Sequence, residues 1–460
     1  SDEARFCQQT PPLGSLAHRD APFMQTPWRP QRRPSHQWSI FSYLNPLMLP
    51  LVATNHSIVR DDSSRTDPTD KNRSWSQFRG DRRDGVVDWL PKSLPPAPVV
   101  LWETPLNGEG IGGIAATESL IVVSGRDVAD EQDVWHGISP LDGSPLWQWT
   151  YPAAGELDYG NSPRATPLIT DQMVICLGAM GDLHALDRNI GISLWQKSLT
   201  TAYSASKPDW GFSGSPLRIN NKIIIQPGGP DASLVALNEL TGDTIWKTPG
   251  AAAAYVSAIL LPTKPAGIVG LTQRGITVWD AETGQQRQQF QPEFDGDFGV
   301  PSPVEVKNGM ILTSENNGTR LYRFSTASNP TAFLPKPIAT NEEAMPDSHT
   351  PVAVGDRLFV VYEGLRCLEI GNNLKQRWIL QDSEFQQYCS IIASKDRLLI
   401  TTESSQVLLV DISQPDRGEI IRRWKLGDGR SNILSHPAIL HDKLLIRVGT
   451  TLQCIQLGTP

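Results

Sequence analysis

Apolar residues in this chain come in short runs of three or four, closed by charged residues, Gly, Asn or Asp. Met173-Val174-Ile175, Ile223-Ile224-Ile225, Leu358-Phe359-Val360-Val361, Leu398-Leu399-Ile400 and Leu444-Leu445-Ile446 are examples. Runs this short, rich in β-branched residues and bounded by turn formers, predict the strands of a meander. A longer phrase is laid over them. Residues 137–147 read Gly-Ile-Ser-Pro-Leu-Asp-Gly-Ser-Pro-Leu-Trp, and the phrase returns at 185–195 and 236–246. Each copy has Gly seventh (Gly143, Gly191, Gly242) and Trp last (Trp147, Trp195, Trp246). Successive Trp residues stand 48 and 51 positions apart, close to the length of one four-stranded propeller blade.

A second signal marks the start of each repeat. Thr166-Pro167, Ser215-Pro216, Ser302-Pro303 and Thr350-Pro351 precede strand patterns, and His436-Pro437 is a variant. Two gaps in this series are twice the usual length, and residues 255–258 and 389–392 fill them as degenerate copies. The result is an all-β, eight-bladed propeller over 99–457, with blades starting near 111, 160, 211, 254, 299, 347, 388 and 434. The last blade lacks a Trp-bearing outer strand. Residues 99–104, with Trp102, form a lone strand of that type, so the two ends of the propeller are expected to close one blade and leave only short edges. Gly at the seventh position suits a tight turn with positive φ. The Trp ring is expected to cover the neighbouring blade while its indole N–H finds a polar partner. Trp102, Trp147, Trp195, Trp246, Gly143, Gly191 and Gly242 are therefore read as blade-docking residues without chemistry.

Residues 1–98 carry no blade pattern. Arg29, Arg32 and Arg33 precede an apolar run over 40–53, which resembles a secretory leader, with Met24 as a sensible start. The run is short and broken by Asn45, Pro46 and Pro50, unlike a membrane span. The expected organisation is an upstream segment and leader (1–53), a flexible linker (54–98), and the propeller (99–457). Within the linker, residues 75–80 (Trp-Ser-Gln-Phe-Arg-Gly) are expected to pack on one face of the propeller.

Composition narrows the partners. A net charge of −8 and a pI near 5.6 argue against nucleic acid, which requires a basic face. The five cysteines show no metal-ligand spacing and no framework of pairs, so no metal site is expected from them.

The eleven-residue phrase resembles the repeat of the PQQ-binding-like β-propellers, the quinoprotein alcohol dehydrogenase-like superfamily. The resemblance covers 99–457 and is strongest at 162–167, 181–187 and 210–216. These stretches are also similar to exported propellers of planctomycete-type bacteria and to outer-membrane assembly factors of the B type. The resemblance implies a periplasmic or extracellular location and a protein or peptide partner in the cell envelope, bound by a monomer. For the dehydrogenases it implies PQQ with Ca²⁺ in the central funnel, under an adjacent Cys pair, above a Trp, with an Asp base. This chain has no adjacent Cys pair. Later copies also depart: Gln288 stands where Trp is due, and the copy from Cys367 to Trp378 is one residue longer.

Candidate residues gather at one mouth of the funnel: Arg164, Trp210, Asp158, Tyr159 and Asn161, with His349 in the equivalent place of a later blade. An Arg beside an aromatic platform suits an anionic, planar or peptide ligand. The same residue types also staple blades. Glu315, Asn316 and Asn317 offer oxygen ligands to a hard cation, or simply a solvated turn. The reading is a non-enzymatic binding or scaffold propeller. The alternatives are a PQQ-dependent alcohol or polyvinyl-alcohol dehydrogenase, and a polysaccharide-binding or lyase propeller.

Overall fold

Among the described residues, eight four-stranded antiparallel sheets form the fold, each a blade. The computed structural model describes residues 74–325, 332–428 and 431–458, all within one unit spanning 65–460. The expected leader and residues 54–73 of the expected linker lie outside the described residues. Blades one to seven run over 115–152, 168–198, 217–248, 259–290, 304–341, 352–380 and 389–425. Blade eight takes three strands from 438–456 and its outer strand from Val99–Pro105, which pairs antiparallel with Thr451–Gln456. Among the described residues, helix is confined to one turn at Leu199–Tyr203 and two 3₁₀ segments.

Burial follows from the stacking of blades face against face. The second strand of a blade, such as Met173–Leu177 or Arg397–Thr402, is buried at every position, so both of its faces must be apolar or paired. Apolar clusters lie between consecutive blades rather than in one central core. Leu168 and Ile175 of blade two pack with Ile223 and Val235 of blade three, and Val304 of blade five packs with Leu358 of blade six. Outer strands alternate, as one-sided strands should: Thr244–Thr248 exposes Thr244, Ile245 and Lys247 and keeps Thr248 inside.

Two belts hold neighbouring blades in register. Around the axis, Ser215, Ser257, Ser302 and Thr350 each accept a main-chain N–H from the blade before. Thr166 N–H donates to Ser215 Oγ (3.0 Å), Ser215 N–H to Ser257 Oγ (3.0 Å), Ser257 N–H to Ser302 Oγ (2.9 Å) and Ser302 N–H to Thr350 Oγ1 (2.9 Å). Ser257, in a segment read as degenerate, keeps the one atom that matters here. At the perimeter, Trp147 lies against Gly191 of the next blade and donates from Nε1 to Arg188 O (3.0 Å). Trp195 repeats this on Gly242 and Glu239 O (2.9 Å), and Trp102 on Gly143 and Pro140 O (3.4 Å). Trp246 lies against Gly284, and its indole N–H has no partner. Gln288 substitutes by hydrogen bonding: its amide donates to Phe333 O (2.7 Å) and accepts Phe333 N–H (2.8 Å).

Residues 74–88 close one end of the channel. Trp75 exchanges main-chain hydrogen bonds with Ala116 of blade one, and Ser76 O accepts Ile169 N–H of blade two (2.8 Å). Arg83 Nη1 donates to Pro216 O of blade three (2.8 Å), and Arg79 Nη2 to Pro351 O before blade six (2.6 Å). Ala393 of blade seven bonds Gly85 O and Val87 N–H, and the Phe78 ring meets His436, at the entry of blade eight, edge-on at 5.3 Å. Six blades are thus touched by fifteen residues. The contacts to Ala116, Ile169 and Ala393 fall at the ends of the innermost strands, where they turn into the second strands. That end is the plugged face.

Candidate functional site

In an antiparallel four-stranded blade, the links from each outer strand to the next innermost strand all emerge at the end opposite the plug. This open mouth carries the longer loops 153–167, 199–216, 249–258 and 291–303. They assemble an aromatic cluster. Trp210 is half-buried, with Tyr255 and Phe298 each 4.8 Å away between ring centres and Tyr159 at 6.2 Å. Tyr159 is 69% exposed and Phe298 56%. Beside them lies a cleft of about 450 Å³, lined by Lys207, Asp209, Tyr255, Phe294, Asp297 and Phe298 among others.

The loops are held from behind. Arg164 donates to Ser162 O (2.8 Å), Asp158 O (2.7 Å) and Gly160 O (2.8 Å), so its guanidinium fixes the loop that presents Tyr159. Burial lowers its pKa. Asn161 accepts Leu157 N–H (2.8 Å) and donates to Asp130 (2.7 Å). Across the cleft, Asn317 accepts Phe294 N–H (2.9 Å) and donates to Asp297 (2.6 Å), while Glu315 accepts Phe298 N–H (2.7 Å). Glu315, Asn316 and Asn317 therefore act as the base of the Phe294–Phe298 loop.

The predicted residues divide accordingly. Tyr159, Trp210 and Asp158 meet at the mouth surface, and Arg164 and Asn161 brace it from below. His349 does not join them. It is buried in the channel, where Nε2 accepts Val361 N–H (3.0 Å), and desolvation with Arg79 and His436 nearby holds its pKa down to about 3. Tyr255, Phe294 and Phe298 were missed. Phe294 and Phe298 sit in a Gly- and Asp-rich stretch, 294–299, where two aromatics in a polar loop are themselves a signal.

The channel below is strongly polar. Burial pushes Arg79 down to about 10 and Arg83, with Arg79 close by, down to about 9. His436 sits between Ser390 Oγ (3.2 Å) and Tyr388 Oη (3.3 Å), with its pKa held to about 4 by burial. Between blades one and two, buried Asp133 accepts from Arg126 (2.8 Å) and Tyr151 (2.9 Å), and desolvation raises it to about 6.

A family model described as outer membrane protein assembly factor BamB matches residues 96–261, the first three blades and the closing strand. Solved structures match the fold around the whole ring. BamB from Moraxella catarrhalis is 12% identical over 78% of this chain and 98% of its own, with a TM-score of 0.53. Quinohemoprotein alcohol dehydrogenase from Comamonas testosteroni is 12% identical over 84% of this chain and 81% of its own, with a TM-score of 0.62. The chain is thus similar to the BamB family over its first three blades and shares its propeller fold with BamB and a quinohemoprotein dehydrogenase. The computationally designed protein Ika8 shares the fold at a TM-score of 0.54 and 12% identity, over 78% of this chain and 99% of its own. No curated protein matches by sequence. Fold alone therefore does not assign the activity of this propeller.

Do its residues suit the cofactor that gives the repeat its name? The described cysteines Cys176, Cys367, Cys389 and Cys454 are unpaired, buried and spread over four blades. Among the described residues, no three His, Cys, Asp or Glu side chains converge as a metal site. Arg79, Arg83 and Phe78 enter the channel from the plug. This set does not fit calcium-held PQQ as the resemblance implies it. Among the described residues no helix is long and apolar enough to cross a membrane.

Proposed function

We propose that this propeller is an exported binding or scaffold protein, a monomer that takes a polypeptide partner of the cell envelope at its open mouth. One observation carries the reading: the chain seals one face with its own residues 74–88 and presents exposed aromatic rings on the other. Solvent-exposed Tyr, Trp and Phe gathered over a cleft are the usual anchors of protein recognition. The match to the BamB family model over 96–261 supports the partner-binding reading. Export is supported by the basic and apolar stretch over 29–53.

The test pairs two measurements on the same mature protein. Addition of PQQ and Ca²⁺ is expected to leave absorbance and dye-coupled alcohol oxidation unchanged; a stoichiometric complex would overturn the proposal in favour of a dehydrogenase. Partner capture from an envelope extract is expected to fall sharply in Tyr159→Ala/Phe298→Ser, with folding intact. Capture indifferent to both substitutions removes the mouth from the binding face.

A further inference from the structure

We infer that the mouth selects a polypeptide strand bearing Lys or Arg side chains, a specificity that rests on reading the mouth as the partner face. The charge distribution carries this. Glu109, Asp158, Asp209, Asp295 and Asp347 are exposed on five different loops of the open mouth. Among the described residues, the cations on the loops that link each outer strand to the next blade are Arg164 and Lys207. Both are turned to main-chain oxygens: Arg164 to three carbonyls of its own loop, and Lys207 Nζ to Glu156 O (2.9 Å). The turns between second and third strands, which emerge at the same mouth, add the exposed cation Arg274 against the exposed acids Asp130, Glu131, Asp231 and Glu363, so acids outnumber cations there. The plugged face exposes Lys264, Lys307, Lys395 and Arg417 among acids such as Glu118, Asp142, Asp171, Asp243, Glu282 and Asp416.

Acidity and aromatic rings point to the same chemistry. A guanidinium or ammonium is drawn to carboxylates at long range and to the negative faces of Tyr, Trp and Phe at contact. Tyr159, Trp210, Tyr255 and Phe298 supply those faces beside Asp158, Asp209 and Asp297. A neutral sugar would use the rings and could hydrogen-bond its hydroxyls to the carboxylates, but it would gain nothing from their long-range charge. An acidic strand would be repelled.

Fluorescein-labelled nonapeptides test this by anisotropy, one alternating Gly with Arg, one Gly with Ser and one Gly with Glu. The Arg peptide is expected to bind at least about tenfold tighter than the other two, and about fivefold more weakly when salt rises from about 50 to about 300 mM. Asp209→Asn/Asp295→Asn, two exposed changes, should weaken the Arg peptide about threefold or more with the melting temperature unchanged. Tyr159→Ala should weaken it further. If the Ser or Glu peptide binds as tightly as the Arg peptide and Tyr159→Ala abolishes that binding, the cationic specificity is wrong while the mouth remains the binding face. If the Arg peptide binds equally well to every variant, the mouth is not its site and both readings fall.

Discussion

Trp147 and Gly191 form one unit at the residue scale. The Trp147 ring lies where a Cβ on Gly191 would fall, 2.5 Å from its nearest ring atom, and Gly191 has φ +69°. Gly191→Ala therefore meets both a ring and a left-handed backbone, and should cost about 1–3 kcal/mol. Trp147→Ala removes a buried ring and leaves Arg188 O without its donor, a loss of about 3–5 kcal/mol. Chemical denaturation of both variants checks the pair. Four buried histidines give a further expectation. His136, His184 and His436 are held to about 4 and His349 to about 3, by burial first, against an ordinary 6.5. Each is neutral when folded and takes a proton when unfolded below 6.5. Stability should therefore be full above about pH 6.5 and fall as pH drops from there towards 4. Asp133, raised to about 6, and Asp182, Glu305, Glu315 and Glu403, also raised by burial, act oppositely over part of that window. Asp280, Asp382 and Asp411, held down by their hydrogen bonds despite burial, act with the histidines. The melting temperature between pH 7 and 4.5 is the readout, and a rise on acidification would contradict this account.

At the scale of single elements, the repeat phrase was legible because its Gly and Trp are contacts between blades, and such contacts must recur at blade spacing. What the phrase hid is a β-bulge between the third and outer strands. Ala185 pairs with Trp195, whereas the next residue, Leu186, pairs with Ser193, leaving Leu194 over. The same slip skips Leu146, Ile245 and, in later blades, Arg287 and Arg377. A bulge bends and twists its strand, and here it recurs just before the docking side chain. It also explains why Leu146, Leu194 and Ile245 are apolar yet half exposed. No residue type marks it, since Leu, Ile and Arg all occupy the position. The blade with the longer phrase accommodates its extra residue in the 3₁₀ segment Ile370–Asn372 and still brings Trp378 onto Gly418 of the next blade. The mouth was only partly legible. Tyr159 and Trp210 stand in stretches with repeat signals nearby, whereas Phe298 comes from a loop whose position depends on Glu315 and Asn317 of a distant turn. Glu315→Ala should release that loop, seen as faster hydrogen exchange at the Phe298 amide with little change in melting temperature.

Across the whole molecule, the ring is closed twice. Val99–Pro105 completes the last blade, and Arg447 of that blade donates to Ser124 O and Gly108 O near blade one. The plug adds a third tie by joining blades that are not neighbours in the chain. Trp75 is 3% exposed and belongs to the same apolar cluster as Val87, Leu90 and residues of blades seven, eight and one. Trp75→Ala should raise hydrogen exchange at the Ala116 and Ala393 amides, both bonded to the plug, well before it affects outer strands. Unchanged exchange there would show that the plug does not brace the axis.

Two-faced asymmetry is the centre of this account: one face sealed by the chain itself, the other open, aromatic and acidic. A photocrosslinking residue placed at position 159 on the mouth, and separately at position 190 on the plugged face, tests it directly. Both positions are exposed. Adducts with an envelope protein at 159 and none at 190 are predicted; adducts at 190 alone would contradict it.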